Sequence, residues 1–536
     1  MMALSLNNFR YSAKRYISPT LLNLNVRNIA CNSFNYNHEG HRFNKRQSVF
    51  LHKNRQDETG RGALRGGSAA AWPLSSHRTF LTTPLVANTG SASSKTSLLK
   101  LSPQNFIDYL KAENIRRLYL VFDPEEKAVK VSHPGLLEEL KLFLLKDKVD
   151  FDEHEGIFMQ LGKRTNCLLG AFIWRTNRGQ ACGGIRLWDY ADMEAYLRDG
   201  LRLGQGMGVK SALAGLWAGG GKGVIQEPPS DNHKDPEFRT SLFYDYGEFL
   251  SSLNGCYVAA EDVGLNVSDL DNVHMFTRYT TCISEVKGGS GNPSIATGKG
   301  VVCAMEGALD YLNMGTLVGK RIAIQGAGNV ATVIVEELLQ KGVSHIYVTD
   351  CHQIRVTDMR NRFYPKYKDI LQVEKVEIDD NSVAGYPCDI FSPCALGNVL
   401  NADTIPMINA KIVCGAANNQ LGCPADNELL KERGISYIVD FLANRMGIVN
   451  CANEVYGRLP DDPAITRHFN KEWENSIFNI TNKILKKAED DNITPVEAAN
   501  EIADKLSREL HPIWPNRSKQ IIKSLVDNEW HLKALI

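Results

Sequence analysis

Two lysines, Lys210 and Lys222, stand twelve residues apart in a segment where their chemistry would be unusual. The segment GMGVKSALAGLWAGGGKGVIQEPP (Gly206–Pro229) carries no other charge before Glu227, and three glycines directly precede Lys222. Glycines let a backbone approach a ligand closely, and apolar neighbours together with a second ammonium lower the pKa of a lysine. The pattern predicts a lysine base, although a glycine-rich turn with two solvated lysines also fits this segment taken alone.

A carboxylate follows in a later predicted strand. Asp262 lies near the end of the apolar run CYVAAEDVG (Cys256–Gly264), where a strand gives way to a glycine turn and side chains reach a cleft. Taken alone, Asp262 is more typical of a helix cap or a turn. The segment QACGGIRLW (Gln180–Trp188) is predicted to be a turn that contains a buried arginine, and Met193–Arg202 an amphipathic helix that leads into the lysines.

A phosphate-binding turn is the second element that carries chemistry. Arg321–Gln325 is predicted to be a short strand, GAGNVA (Gly326–Ala331) opens a helix, and His345–Thr349 forms the next strand before Asp350. A G-x-G-x-x-A turn in this setting is typical of dinucleotide binding. Asp350 would accept hydrogen bonds from the ribose 2′-hydroxyl and repel a 2′-phosphate, so NAD is favoured over NADP. The predicted cofactor-binding residues here are Gly326, Ala327, Gly328, Asn329, Val330 and Asp350.

The elements that position these groups are those of an α/β protein. At 536 residues the chain is long enough for roughly two to four domains. Lys287–Pro293 is the strongest internal boundary, because its glycines and serine favour a hinge over a regular element. Strands predicted near Cys388–Phe391, Lys411–Cys414 and Ser436–Val439 continue a doubly wound parallel sheet. Thr494–Glu497 is predicted to cap a final helix as a capping box.

The first hundred residues differ in charge from the rest. They contain 14 Lys and Arg but only 3 Asp and Glu, whereas the remainder holds 47 against 58, a net charge of −11. No acid precedes Glu39, and basic residues alternate with Ser, Leu and Asn as in organelle transit peptides. We predict that residues 1–100 are a transit peptide and disordered leader that directs the protein to the mitochondrial matrix. A basic tail without an address is the alternative.

Composition also argues against several classes of function. The 12 cysteines form no CxxC pair and no Cys/His group typical of a metal site, so we predict reduced thiols and no metal. No run approaches the ~20 apolar residues of a membrane span, and the mildly acidic body gives no support to nucleic-acid binding. Composition therefore predicts neither a membrane nor a nucleic acid as a partner.

Together these blocks resemble the glutamate, leucine, phenylalanine and valine dehydrogenase family, and most of all its leucine enzymes. The resemblance covers about residues 156–508 and includes CGGIR, GMGVKSALAGLWAGGGKGVI, AAEDVG, GSGNPSIATGKGV, IQGAGNVA, VTD, GAANNQL and NEVYG. It implies an N-terminal α/β substrate domain of the dimerisation type (101–288), a Rossmann-type NAD-binding domain (289–445) and C-terminal helices (446–536) that return to the first domain. It also implies a homo-oligomer with its active site in the cleft between the two domains.

The same resemblance implies roles for individual residues. Lys210 matches the lysine that binds the substrate α-carboxylate, Lys222 the lysine that activates water, and Asp262 the aspartate that exchanges protons with the amino nitrogen. The implied reaction is the reversible, NAD-dependent oxidative deamination of a branched-chain L-amino acid (leucine, valine or isoleucine) to a 2-oxo acid and ammonia. Further implied contacts are Gly219, Met207, Cys182, Ala260, Ile448 and Cys451 for the substrate, and Thr297, Ala416 and Asn419 for the cofactor.

Two features of the sequence bear on the choice of substrate and on whether the protein is an active enzyme. Cys182 and Cys451 stand where glutamate enzymes have lysine and serine and where leucine enzymes have leucine and valine, which favours an uncharged substrate side chain. Where the family has Asn-Ala-Gly-Gly, this chain has Asn444-Arg445-Met446-Gly447, with two bulky side chains near the cleft. The alternatives are a glutamate dehydrogenase, with Arg445 meeting the acidic side chain, and an NAD-binding protein whose catalysis is impaired.

Overall fold

The computed structural model describes residues 97–228, 231–457 and 459–535. The predicted leader lies outside these ranges except for its last four residues, so its targeting role stays a prediction. Within the described ranges, no helix combines the length and the apolar character that crossing a membrane requires.

The first half of the described chain forms a mixed seven-stranded sheet in the order β2-β1-β3-β4-β6-β5-β7. β5 pairs in parallel with both β6 and β7, and the other pairings are antiparallel. Its strands are β1 (Arg117–Asp123), β2 (Ala128–Val131), β3 (Gly156–Leu161), β4 (Leu168–Ile173), β5 (Ala181–Trp188), β6 (Gly219–Gln226) and β7 (Tyr257–Glu261). Its helices are α1 (Pro103–Ala112), α2 (Glu138–Lys146), α3 (Met193–Leu213), α4 (Pro236–Ser252) and α5 (Val267–His274).

The glycines before Lys222 bring a helix and a strand together. They form the start of β6, which is buried along its whole length, and α3 packs directly against this strand. A Cβ atom on Gly220 would lie 2.9 Å from the Cα of Gly208 on α3, so no larger residue fits at this contact. The prediction that this glycine run approaches a ligand is therefore wrong, because the glycines are needed for the packing of α3 on β6. This packing places Lys210 of α3 beside the strand that carries Lys222.

The prediction of a turn at Gln180–Trp188 is wrong, because Ala181–Trp188 is strand β5. Its glycine pair allows neighbouring strands and loops to approach, since a Cβ on Gly183 would collide with the carbonyl of Gly221. A Cβ on Gly184 would lie 2.6 Å from the Cβ of Asp262. Glycine normally weakens a strand interior, but here it is required by close packing around the site.

The second half forms a six-stranded parallel sheet in the order β10-β9-β8-β11-β12-β13. Counted from β8, this is the 3-2-1-4-5-6 order of a Rossmann fold, which confirms the predicted fold class. The strands are β8 (Arg321–Gln325), β9 (His345–Asp350), β10 (Leu371–Lys375), β11 (Ile390–Pro393), β12 (Ile412–Val413) and β13 (Ser436–Tyr437). The helices are α6 (Ser294–Tyr311), α7 (Asn329–Gln340), α8 (Gln353–Tyr367), α9 (Pro424–Glu432) and α10 (Asp440–Ala443).

The C-terminal helices contact both halves. They are α11 (Met446–Asn453), α12 (Pro463–Thr466), α13 (Ile477–Asp490), α14 (Pro495–Ser507) and α15 (Arg517–Asp527). α13 packs on α6, whereas α14 packs on α3, and the capping box predicted at Thr494 and Glu497 is confirmed at the start of α14. Near the end of the chain, Trp530 is buried with its ring edge-on to Phe158 of β3, at 5.3 Å between centroids.

Candidate active site

A cleft of about 2880 Å³ is lined by residues from both halves of the molecule. This exceeds the ~300–1,000 Å³ of an ordinary small-molecule site and suits a dinucleotide together with a second ligand. The predicted site residues that line it are Cys182, Met207, Lys210, Lys222, Ala260, Asp262, Thr297, Asn329, Val330, Ala416, Asn419, Ile448 and Cys451. Gly219, Gly326, Ala327, Gly328 and Asp350 lie outside this lining, and Gly219 is buried at the start of β6.

Lys222 and Asp262 form the most buried ion pair on the cleft wall. The Lys222 side chain is only 4% exposed, and its Nζ donates to Asp262 Oδ2 at 2.6 Å. Burial lowers the pKa of Lys222, and the Asp262 carboxylate partly opposes this effect. Burial alone would raise the pKa of Asp262, but Lys222 and a second cation outweigh it, so the net shift is downward. A lysine with a lowered pKa thus stands beside a carboxylate that stays ionised, which suits proton transfer.

Arg186 is that second cation, and sequence reasoning gave it no functional role. From β5, its Nε donates to Asp262 Oδ2 at 3.1 Å, and its Nη1 donates to Asp199 of α3 at 3.1 and 3.3 Å. Asp199 also accepts a hydrogen bond from Tyr190 at 2.7 Å. Arg186 therefore holds Asp262 in place, and Asp262 has two counterions, Lys222 and Arg186. The signal in the sequence was an arginine two residues after a glycine pair. The structure shows that the second glycine of this pair packs against Asp262.

Lys210 lies on the last turns of α3, and its neighbours on the cleft wall include Asp440. Burial lowers the pKa of Lys210, Asp440 opposes this shift, and Lys222 adds to it. The carboxylate of Asp440 also accepts the backbone N–H of Asn419, so it connects Lys210 with the predicted cofactor loop. A lysine so placed offers a positive charge to an anionic group of a ligand in the cleft.

The glycine loop after β8 has the features that a pyrophosphate requires. Gly326 adopts φ +99°, a left-handed conformation that glycine reaches without strain, and α7 starts directly after Gly328. A Cβ on Gly328 would meet no atom within 4 Å, so space is open in front of the helix N-terminus. The free N–H groups of that terminus and its partial positive charge suit an anion. The loop therefore fits a dinucleotide.

Asp350 closes β9 beside this loop, and it is already bound to backbone. Its carboxylate accepts the N–H of Ala327 at 2.8 Å and the N–H of His352 at 2.7 Å, while Arg355 Nη1 lies 3.6 Å away. Burial alone would raise the pKa of Asp350, but these donors outweigh it and the net shift is downward. A negative charge thus remains at the end of the strand where a ribose would lie.

The Asp350→Ser variant is expected to raise the ratio of NADP use to NAD use by at least ~10-fold, because repulsion of a 2′-phosphate is lost and Arg355 is released toward it. The measurement is kcat/KM for each cofactor at saturating amino acid. In the Asp350→Ser/Arg355→Ala double variant the gain should be smaller, because the repulsion is still lost but the arginine that would pair with the 2′-phosphate is absent. An unchanged ratio in the single variant would mean that Asp350 does not face the ribose.

Two further side chains lie on the lining of the cleft, Asn444 and Thr297. Asn444 donates to the Ala416 carbonyl at 3.1 Å and to Asn418 Oδ1 at 2.8 Å, while its own Oδ1 is buried without a partner. Such an atom is costly unless a ligand or water donates to it. Thr297 of α6 lies nearby on the same lining, with its hydroxyl bound to the Pro293 carbonyl at 2.9 Å. The site thus offers an acceptor where a ligand amide would fit.

Arg445 and Met446 are accommodated in the core and not in the cleft. Arg445 is fully buried, and its guanidinium donates to the Leu213 carbonyl at the end of α3 at 2.7 Å and to the Asn475 carbonyl. A third contact joins it to His468 Nδ1 at 2.9 Å, and burial lowers the pKa of Arg445 to about 9. Neither Arg445 nor Met446 lines the cleft. In this structure Arg445 caps α3 and does not reach the substrate pocket.

The Arg445→Ala variant is therefore expected to lose stability without changing its choice of amino acid. The free energy of unfolding should fall by about 3 kcal/mol, because two carbonyls lose their donor and a cavity remains. Denaturant unfolding measures this loss, and Arg467→Ala, which removes an exposed arginine, is the control with an expected loss below ~1 kcal/mol. A change above ~10-fold in the leucine-to-glutamate ratio of kcat/KM would contradict the position of Arg445.

Comparison with known proteins shows similarity to one family of dehydrogenases. The profile of the Glutamate/Leucine/Phenylalanine/Valine dehydrogenase family matches residues 288–509, and that of the family's dimerisation domain matches residues 167–280. Leucine dehydrogenase of Geobacillus stearothermophilus is 37% identical over 366 residues, which cover 67% of this chain and 92% of that protein. Valine dehydrogenase of Streptomyces coelicolor is 37% identical over 360 residues, covering 67% and 93%.

A solved structure is similar as well. The crystal structure of L-tryptophan dehydrogenase from Nostoc punctiforme superposes with a TM-score of 0.55 at 29% identity, over 68% of this chain and 97% of that one. The fold and the site thus define a dinucleotide-dependent dehydrogenase of amino acids, an enzyme that acts on a CH–NH₂ group. The chain belongs to the Glu/Leu/Phe/Val dehydrogenase family and is most like its leucine enzymes.

Proposed function

We propose that this protein catalyses the reversible, NAD-dependent oxidative deamination of a branched-chain L-amino acid to its 2-oxo acid and ammonia. The observation that carries the proposal is the grouping of Lys210, Lys222 and Asp262 on the wall of one cleft, which also receives the start of α7 from the Rossmann half. Leucine, valine and isoleucine are the proposed substrates.

Each residue of this group has a distinct task in the proposed reaction. The Lys210 ammonium holds the α-carboxylate, which fixes the direction in which Cα points. NAD, when bound, supplies the acceptor for the hydride that leaves Cα. Asp262 takes a proton from the amino group and later returns one to the departing nitrogen. Lys222, in its neutral form, removes a proton from the water that attacks the resulting iminium carbon.

The wall around the substrate position favours an aliphatic side chain. Cys182, Met207, Ala260, Ile448 and Cys451 line the cleft, and none of these side chains carries a charge at neutral pH. Burial raises the pKa of the Cys182 thiol to about 12, so it stays protonated. Leucine and valine dehydrogenases among the relatives support the same class of substrate.

The test follows NADH formation with a panel of L-amino acids that includes leucine, isoleucine, valine, phenylalanine, tryptophan and glutamate. We expect the highest kcat/KM for one of the branched-chain amino acids. Preference for glutamate would instead support the glutamate dehydrogenase alternative. NAD binding without turnover on any member would support a binding protein with impaired catalysis, and either outcome would overturn the proposal.

We further propose that the protein assembles as a homo-oligomer and works in the mitochondrial matrix after removal of its basic leader. The match of residues 167–280 to a dimerisation domain supports the assembly. N-terminal sequencing of the native protein should start well beyond Met2, and residues 1–100 fused to a fluorescent protein should enter mitochondria. The same fusion with Arg10, Lys14 and Arg15 changed to glutamate should stay outside. A native protein that starts at Met1 or Met2 would refute the cleavage.

A further inference from the structure

Two cysteines face each other at the edge of the substrate pocket. The Sγ atoms of Cys282 and Cys451 lie 2.8 Å apart, although 169 positions separate them in the sequence. Both thiols are free, and the separation exceeds the ~2.05 Å of a disulfide bond by only about 0.8 Å. Cys451 is a predicted substrate contact on α11, whereas Cys282 is buried and follows β7 in the first half.

The surrounding backbone holds the two thiols in this position. Glu454, one turn after Cys451, accepts the backbone N–H of Cys282 at 3.0 Å and both the N–H and the hydroxyl of Ser290, at 2.8 and 2.7 Å. On the other side, Thr280 forms a β-bridge with Ala259 of β7. The helix with Cys451 and the loop with Cys282 are thus fixed to each other by bonds that do not involve sulfur.

Both thiols are also open to a reagent that enters the cleft, because Cys282 and Cys451 are part of its lining. The hydrogen bond between the two thiols lowers the pKa of Cys282, whereas burial and the charges of Glu454 and Glu261 act against this shift. That same hydrogen bond and burial raise the pKa of Cys451. The backbone N–H of Glu261 also donates toward the Cys282 sulfur, and among the described residues the Cys451 sulfur has no such donor, so Cys282 is the member of the pair that more readily becomes a thiolate, the nucleophilic form of cysteine.

We propose that Cys282 and Cys451 are a redox-sensitive pair, which hydrogen peroxide converts into an intramolecular disulfide that blocks the amino-acid site. The Cys282 thiolate attacks one oxygen of the peroxide, so that an S–O bond forms, the O–O bond breaks and hydroxide leaves. The Cys451 sulfur then attacks the Cys282 sulfur, an S–S bond forms and the S–O bond breaks. Two thiols and one peroxide thus become one disulfide and two waters, and the sulfurs lose two electrons to the peroxide.

The disulfide would act on the substrate side in two ways. It removes the Cys451 thiol from the side-chain pocket, and it cross-links the segment before the predicted hinge Lys287–Pro293 to α11, which follows the Rossmann half. We expect kcat/KM for the amino acid to fall at least ~10-fold on oxidation, with NAD binding unchanged, and to recover with dithiothreitol. This effect on turnover rests on the proposed function, whereas formation of the bond does not.

Peptide mapping of the folded, full-length protein tests the bond itself. After peroxide treatment, alkylation of remaining thiols and digestion, we expect a peptide pair that joins Cys282 to Cys451. It should weigh two hydrogens less than the separate peptides and divide on reduction. The exposed thiol of Cys423 serves as the reference for complete oxidation. If Cys282 and Cys451 can still be alkylated once Cys423 is fully oxidised, the proposal is overturned, whatever the substrate of the enzyme is.

A variant pair tests the effect on activity. Before peroxide treatment, Cys282→Ser should have an activity within ~3-fold of that of the wild type. Peroxide should lower the activity of the wild type by a factor at least ~10 times larger than the factor for Cys282→Ser. Cys423→Ser, which removes an exposed cysteine, is the control and should be inactivated like the wild type. Equal inactivation of Cys282→Ser and wild type would overturn the regulatory role. If Cys282→Ser does not fold, Cys282→Ala takes its place and the mapping result stands independently.

Discussion

Lys222→Ala is expected to lower kcat for amino-acid oxidation by at least ~100-fold while the dissociation constant for NAD stays nearly unchanged. General bases contribute about 10²–10⁴-fold to enzymatic rates, and Lys222 is the residue proposed to deprotonate the attacking water. The glycine loop after β8, which fits the cofactor, is formed without Lys222. Loss of turnover with retained NAD binding therefore separates a catalytic role from a structural one.

Removal of Lys222 should leave the fold intact, because its partner keeps a counterion. Asp262 still receives the hydrogen bond from Arg186 at 3.1 Å. Lys130→Ala, which removes an exposed lysine of β2 in the same sheet, is the matched control and should retain full activity. Folded Lys222→Ala that keeps more than a few per cent of the wild-type turnover would remove Lys222 from the mechanism.

The pH dependence of the wild type provides a second reading of the same residue. Lys222 acts as a base only when neutral, so kcat should rise with pH until Lys222 has lost its proton. Burial lowers its pKa from 10.5, and the rise should therefore end below the pH expected of a solvated lysine. In Lys222→Ala the residual rate should not show this rise.

The sequence predicted those elements whose local pattern has one physical interpretation. The Rossmann half is an example, since a short apolar strand, GAGNVA and a second strand ending in Asp350 leave little choice of fold. The capping box of Thr494 and Glu497 is another, because both partners lie within one helical turn. Family resemblance supplied Lys210, Lys222 and Asp262, and the structure places all three on one cleft.

Features that depend on contacts between distant segments were not predictable in this way. The glycine pair in Gln180–Trp188 suggested a turn, but the glycines are required because Gly221 of β6 and Asp262, directly after β7, approach β5 closely. From the sequence, Arg445 was a candidate to enter the pocket and pair with an acidic substrate side chain. In the structure it instead donates to carbonyls at the end of α3 and in the C-terminal segment. The contact between Cys282 and Cys451 likewise appears only once the chain is folded.

The prediction for the substrate side chain is that leucine exceeds glutamate in kcat/KM by at least ~100-fold, which corresponds to ~2.7 kcal/mol. Each buried methylene of leucine gains about 0.8 kcal/mol, whereas an unpaired substrate carboxylate would lose several kcal/mol of hydration. Arg445, the cation considered as a partner for such a carboxylate, is bound elsewhere in this structure.

Carboxylates on the cleft wall add to this preference. Glu261 and Glu454 both line the cleft, and their charges contribute to raising the pKa of Cys451, after its hydrogen bond to Cys282 and burial. An electrostatic potential that disfavours a thiolate at Cys451 would also disfavour the γ-carboxylate of glutamate at the same place. The structure therefore adds an electrostatic reason for the preference, whereas the sequence showed only that the pocket positions carry no positive charge.

Glutamine separates charge from shape in this test, since it matches glutamate in size but is neutral. We expect kcat/KM to decrease in the order leucine, glutamine, glutamate. In the Glu261→Gln variant the ratio of kcat/KM for glutamine to that for glutamate should be smaller than in the wild type, because one repelling charge is gone. Equal values for glutamine and glutamate in the wild type would mean that shape alone excludes both. Preference for glutamate over leucine would show that a cation reaches the pocket in solution, and the assignment of Cys182, Ala260, Ile448 and Cys451 to the substrate side chain would then be wrong.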